Sequence, residues 1–240
     1  MNEQSPQDDD RRDRNALLEE TLGFNLRSVR TLADLWARPR AVMNAIMARD
    51  RTTYTPMVRL FVALIGLQVA VSVIWGGYGG LMARGLENMP PEQLATLTEV
   101  LPRPLDEFIA IFGNIAAALH APLVAGATAL SVLVLGAFGE KRRFAVNLNL
   151  VFAVLTAGSM VGLILLFLLA LTDLNPALNT LVIVAAYFIT WLRGMPEAIA
   201  RTTLGRVVKA LTLSVVMMAL VFIGAAIMQL IALTGAALWP

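Results

Sequence analysis

The chain has no cysteine, a single histidine and only 15% charged residues among its 240. Without cysteine there is no disulfide, no thiol nucleophile and no Cys-based metal site. One histidine excludes a histidine-rich metal centre. A soluble domain carries about a quarter charged residues, so the shortage of charge is itself informative. No Asp, Glu, Lys or Arg falls in the middle of the long apolar runs. Charges at such positions mark pumps and ion-coupled transporters, and their absence argues against that chemistry. The glycine-rich stretch Gly76-Gly77-Tyr78-Gly79-Gly80 is followed by no Lys-Ser/Thr pair, so it is not a phosphate loop. It is expected to fray the end of the first span. No internal repeat is evident, which gives no support to an inverted-repeat transporter.

What is present is apolar. Hydrophobic residues make up 58% of the chain and fall in runs of about twenty, the length that crosses roughly 30 Å of hydrocarbon. The expected fold is an all-α membrane protein: a bundle of five transmembrane helices at about 57–80, 109–138, 145–171, 177–192 and 210–237, since open strands cannot leave backbone groups unpaired in lipid. Pro122 is expected to kink the second span. Asp173–Pro176 reads as a turn, Trp191 as an interfacial end of the fourth span, and Gly158 with Gly162 as a small-residue contact face. Residues 81–108 read as an outer loop holding a short helix that begins at Pro90-Pro91-Glu92.

Residues 1–14 form a charged tail too poor in apolar surface to fold. No apolar stretch precedes residue 57, so the first span is expected to act as an uncleaved insertion signal. Residues 15–56 carry amphipathic cytoplasmic helices. Leu18, Leu22, Leu26, Val29, Leu32 and Trp36 recur at three or four residues and make one stripe. Glu20, Arg27, Arg30, Asp34 and Arg38 fall opposite. Such a helix either lays its stripe in the headgroup layer or packs on the protein's own cytoplasmic loops. Pro39 ends it and opens a second helix, about Arg40 to Arg49. Ala200, Leu204, Val207 and Leu211 form the stripe of another surface helix leading into the fifth span.

With five spans, and counting Arg59 at the membrane edge, 17 of the 19 basic residues lie on one side, in segments 1–56, 139–144 and 193–209. Positive charge stays cytoplasmic, so the expected placement is the bacterial inner membrane, N-terminus inside and C-terminus periplasmic. Arg38, Pro39, Arg40, Arg49, Arg51, Tyr54, Pro56 and Arg59 are assigned as the interface anchor, drawn to anionic headgroups at about 1 kcal/mol per basic group. The basic pI of about 9.4 is explained by this rule rather than by nucleic acid. His120, Asn114 and Asn147 are grouped as a candidate polar pocket. Gln68 and Gln229 read as helix-to-helix hydrogen bonds. A Ser-His-Asp triad would need His120, Asp173 and Ser131 or Ser159 to meet, and nothing in the sequence brings them together. No catalytic, cofactor-binding or metal residue is assigned.

Arg38-Pro39, Tyr54-Thr55-Pro56 and Arg59-Leu60 carry a resemblance. Together they resemble the juxtamembrane motif of an uncharacterised family of bacterial inner-membrane proteins, over about residues 27–70. Many members of that family precede the motif with a cysteine zinc ribbon, which this chain lacks. The five-span, N-inside layout is similar to the Yip family of membrane-trafficking proteins. Neither resemblance carries a catalytic residue. The expected function is therefore non-enzymatic: organising the membrane surface or a protein partner through residues 15–50 and 196–209, with homo-oligomerisation compatible. The alternative is a passive facilitator of a lipid or neutral small molecule.

Overall fold

The structure is a computed structural model and describes residues 26–50, 52–171 and 176–238. Among these residues every regular element is helical: α1 (Leu26–Ala37), α2 (Pro39–Ala48), α3 (Met57–Ser72), α4 (Gly77–Glu87), α5 (Pro91–Val100), α6 (Leu105–Ala129), α7 (Ser131–Gly136), α8 (Phe144–Leu171), α9 (Pro176–Gly194) and α10 (Thr203–Leu238). Four stretches are long and apolar enough to cross a membrane: Met57–Trp75, Leu105–Gly136, Phe144–Leu168 and Thr203–Leu238. The fourth expected span corresponds to a shorter apolar helix, Leu178–Gly194 among the described residues. Leu133, Ile164, Leu181, Val215, Phe222 and Leu230 stand exposed along these helices. Apolar surface on that scale belongs against lipid or a partner.

α8 is the most buried of the four long helices and organises the rest. It runs parallel to α3: Phe61 meets Phe152 edge-to-face at 5.2 Å, Gln68 Nε2 donates to the Ser159 carbonyl at 2.6 Å, and Trp75 meets Phe167 at 5.4 Å. α9 returns antiparallel to α8. A Cβ on Gly158 would meet the Tyr187 ring at 2.2 Å, and one on Gly162 would meet Gln68 Nε2 at 3.0 Å. The two glycines therefore admit different helices, α9 and α3, rather than forming one contact face. α6 and α10 form the other antiparallel pair. Gly224 lets α10 approach the backbone of α6 near Leu123, as small residues do where lipid supplies no hydrophobic drive.

Two apolar clusters result. The larger joins α2, α3, α8, α9 and α10 around Trp191, Leu150, Leu60 and Leu213. The smaller joins Phe108, Phe112 and Ala116 of α6 to Met228, Ala232 and Ala236 of α10.

Several local expectations change. Trp191 is fully buried and donates to Met217 Sδ at 3.3 Å; the large ring fills the core instead of marking an interface. α6 continues through Pro122, and the interruption comes at Leu130. There Thr128 Oγ1 donates to the Val124 carbonyl and Ser131 Oγ to the Thr128 carbonyl, so hydroxyls compete for backbone acceptors. The glycine-rich stretch does not fray. Gly76, at φ +81°, turns the chain out of a short 3₁₀ turn directly into α4. The surface helix expected near residue 200 is absent as a separate element: α10 is one unbroken helix of 36 residues, about 54 Å at 1.5 Å per residue, with no proline to stop it. The short helix expected at Pro90-Pro91 is α5.

Candidate functional site

The motif that singles out this chain is built into a clamp. On α1 the residues turned inward are Ser28, Thr31, Asp34 and Leu35, three of them polar. Their partners come from the segment before α3. Thr31 Oγ1 accepts from the Thr55 backbone N–H at 3.0 Å and donates to the Arg27 carbonyl at 2.6 Å. The Ser28 and Thr55 hydroxyls are 3.2 Å apart. Tyr54 OH donates to Asp34 Oδ2 at 3.0 Å, and Arg38 donates through Nη2 and Nε to Asp34 Oδ1 at 2.7 and 3.1 Å. The Arg38 guanidinium holds the Asp34 carboxyl below the usual carboxylate range, with help from Tyr54 and Arg30 and against the cost of desolvation. Burial raises the Tyr54 hydroxyl, and the Asp34 charge raises it further.

The turn that delivers Tyr54 is fixed by Asp50. Its carboxylate accepts from the Thr52 N–H and hydroxyl, both at 2.8 Å, and from the Thr53 N–H and hydroxyl. These bonds, the Thr53 hydroxyl first, hold the Asp50 carboxyl far below its ordinary value. The turn follows Arg49, which ends α2 at φ +58°.

This packing corrects the helical-wheel reading of α1. Asp34, placed on the outward polar face, is 6% exposed, whereas Leu26 and Val29 are 77% and 59% exposed and Trp36 is also exposed. Asp34, with Ser28 and Thr31, is buried because each of their oxygens has a partner, which is the condition for burying polar groups, whereas Arg30 and Arg38 of the same face stay exposed. Of the apolar stripe, Leu26 and Val29 remain outside, Leu32 packs against the core and Trp36 donates to Met160 Sδ at 3.0 Å; its expected members Leu18 and Leu22 lie outside the described residues.

The anchor residues divide. Pro39 is buried as the first residue of α2. Arg40 pairs with Glu197 at 2.8 Å. Arg49 borders a cavity of about 400 Å³ with Arg143, Asp50, Tyr54, Pro56 and Asn149. Arg59 is exposed, and Arg51 lies outside the described residues. Arg38 serves the clamp. Others not assigned as anchors tie the basic end together. Arg193 donates to the Trp36 and Ala37 carbonyls at 3.2 and 3.0 Å, ending α1, and Arg142 donates to the Leu135 and Phe138 carbonyls at 2.9 and 2.8 Å, ending α7. Basic groups at helix C-termini complement the helix dipole.

The three polar-pocket residues are not gathered in one place. Asn114 is exposed. Asn147 is buried at the basic end, where its Oδ1 accepts from Arg142 Nε at 2.8 Å. His120 lines a cavity of about 260 Å³ inside the bundle, alongside Gln68, Tyr78, Ser159, Asn179 and Tyr187. Asn179 was missed: as one amide in an apolar helix it gave no periodic signal, and His120, which lines the same cavity, is 59 residues away.

Comparison with protein-family models, with curated proteins and with solved structures finds no match.

Proposed function

We propose that the chain is a multi-pass inner-membrane protein, N-terminus cytoplasmic, that organises the membrane surface without catalysing a reaction. α9, at 19 residues and about 28 Å, would be the fifth span, and the basic end would be the cytoplasmic one. The observation that carries the reading is the burial of α1: Asp34, Thr31 and Ser28 face the protein while Leu26 and Val29 stand exposed. A helix docked through buried polar groups and leaving apolar side chains exposed beside apolar spans suits the headgroup boundary. Arg30, Arg49 and Arg59 are exposed at the same end and would attract anionic lipid.

The chain lacks cysteine, so single-cysteine nitroxide labels report directly. A label at Val29→Cys should be accessible to oxygen and shielded from a water-soluble relaxation agent in anionic vesicles. One at the exposed Asn44→Cys should show the reverse. Equal access of the aqueous agent to both sites would remove the interfacial reading. Orientation is tested separately with an impermeant maleimide on intact cells, which should label Ala95→Cys and spare Glu197→Cys.

A further inference from the structure

Several arginines at the basic end are spent on the protein itself. Arg38 serves the clamp, Arg40 and Arg201 pair with Glu197 and Glu140, and Arg142 and Arg193 close helices. Arg49 and Arg143 are not spent: among the described residues neither side chain has a hydrogen bond or an ion pair. Their backbones are fixed all the same. The Arg49 N–H donates to the Ile46 carbonyl at 3.0 Å, and the residue ends α2 at φ +58°. The Arg143 carbonyl accepts from the Val146 and Asn147 N–H groups at 3.0 and 3.3 Å, which opens α8. Both residues are exposed, and both border the cavity of about 400 Å³ at this end. That volume lies within the range of small-molecule sites, about 300–1,000 Å³.

The rest of the lining sets depth and charge. Met57 is the first residue of α3, and Ala145 and Val146 belong to the first turn of α8. These two helices run parallel, and both are long and apolar enough to cross a membrane. The cavity therefore lies where two apolar spans begin, which is the level of the headgroups rather than of the hydrocarbon. This depth rests on the placement of the basic end at a membrane surface proposed above. Asp50 also borders the space, its carboxylate taken by the N–H and hydroxyl groups of Thr52 and Thr53. Among the described residues the lining thus sets two guanidiniums against one carboxylate, a net charge of +1. A phosphodiester carries one negative charge, whereas a phosphomonoester carries about 1.5 to 2. Guanidinium groups bind phosphate oxygens through charge-assisted hydrogen bonds. We infer that this cavity binds a phosphodiester, held between Arg49 and Arg143. The chemistry is shared by the headgroup of an anionic phospholipid and by a free phosphate ester.

The test uses the full chain in phosphate-free maltoside micelles, with one nitroxide at Ala48→Cys. Ala48 is exposed, adjoins Arg49 and is not part of the lining. The label broadens the ³¹P resonance of any phosphorus bound beside it. The titrants are dioctanoylphosphatidylglycerol and dimethyl phosphate. The expected result is saturable broadening with the lipid, and weaker binding of dimethyl phosphate. Arg143→Gln should lower the apparent affinity about tenfold, the equivalent of about 1.4 kcal/mol. Arg49→Asn, a residue type that tolerates the same left-handed backbone, is the second variant should the glutamine form not fold. Equal affinity for both titrants would keep the site and assign it to a free ester. Broadening that only rises linearly with lipid, no broadening with either titrant, or unchanged affinity in a folded arginine variant would each overturn the proposal. The Val29→Cys depth measurement keeps the two readings apart. A shielded Val29 label without saturable phosphate binding removes the cavity site alone. Saturable binding with a water-exposed Val29 label removes the surface reading and keeps the cavity site.

Discussion

Two regions of this protein bury polar groups, and they do so in opposite ways. At the basic end, Ser28, Thr31, Asp34, Tyr54 and Thr55 form a closed set in which the hydroxyls and the carboxylate all have partners. In the bundle, His120 Nδ1 and Asn179 Oδ1 are buried without one. A closed set of polar groups fixes geometry: it makes the angle between α1 and α3 single-valued. An open set leaves the cost of desolvation unreturned. Residue type alone would not separate them, since both regions hold an aromatic hydroxyl beside one titratable side chain. The difference lies in whether the chain itself returns a partner.

The largest change should come from the ground the two regions share. Trp191 is fully buried in the main cluster, and Trp191→Ala should cost about 3–5 kcal/mol, seen as a lowered unfolding midpoint together with loss of α1 docking. Within the clamp, Thr31→Val keeps the shape and removes the acceptor of the buried Thr55 N–H. A loss of about 1–3 kcal/mol is expected, with faster motion of a nitroxide at Val29→Cys. In the cavity the same kind of change should run the other way. Asn179→Leu removes an unpaired polar atom, so stability should hold or rise by less than about 1 kcal/mol. A matching loss of stability at both sites would erase the contrast.

The smallest effect is a pH response. Asp34 is held below its ordinary value of 3.8, chiefly by Arg38, and Asp50 is lowered chiefly by Thr53. A lowered carboxyl stabilises the fold above its unfolded value, and that contribution is lost as pH falls through the folded one. α1 docking should therefore be flat from neutral pH to about 4 and loosen below that. Asp34→Asn should weaken docking at neutral pH and leave only the Asp50 part of the acid response. The mobility of the Val29→Cys label across pH measures both.

Much of the architecture was legible from composition. Runs of about twenty apolar residues are set by hydrocarbon thickness, so α3, α6, α8 and α10 could be located before any contact was known. The starts of α2 and α5 followed from prolines, which fix φ and cannot continue a preceding helix. The candidate sites were less legible. The spacing of Leu26, Val29, Leu32 and Trp36 identified a stripe, but helical periodicity says only that two faces differ and not which one turns inward. That choice depended on Tyr54 and Thr55, twenty or more residues from their partners on α1. Likewise His120 was conspicuous as the single histidine, while Asn179, which shares its cavity, was not.

By itself the sequence determined that this chain is helical, apolar and charged at one end, because span length, proline geometry and charge placement act locally along the chain. The tertiary structure alone decided which side chains of α1 are outermost, which arginines close helices and which remain exposed, and that one polar atom on α6 and one on α9 are buried without a partner. Those outcomes depend on whether a distant segment supplies a hydrogen-bond partner, and helix packing in three dimensions settles that.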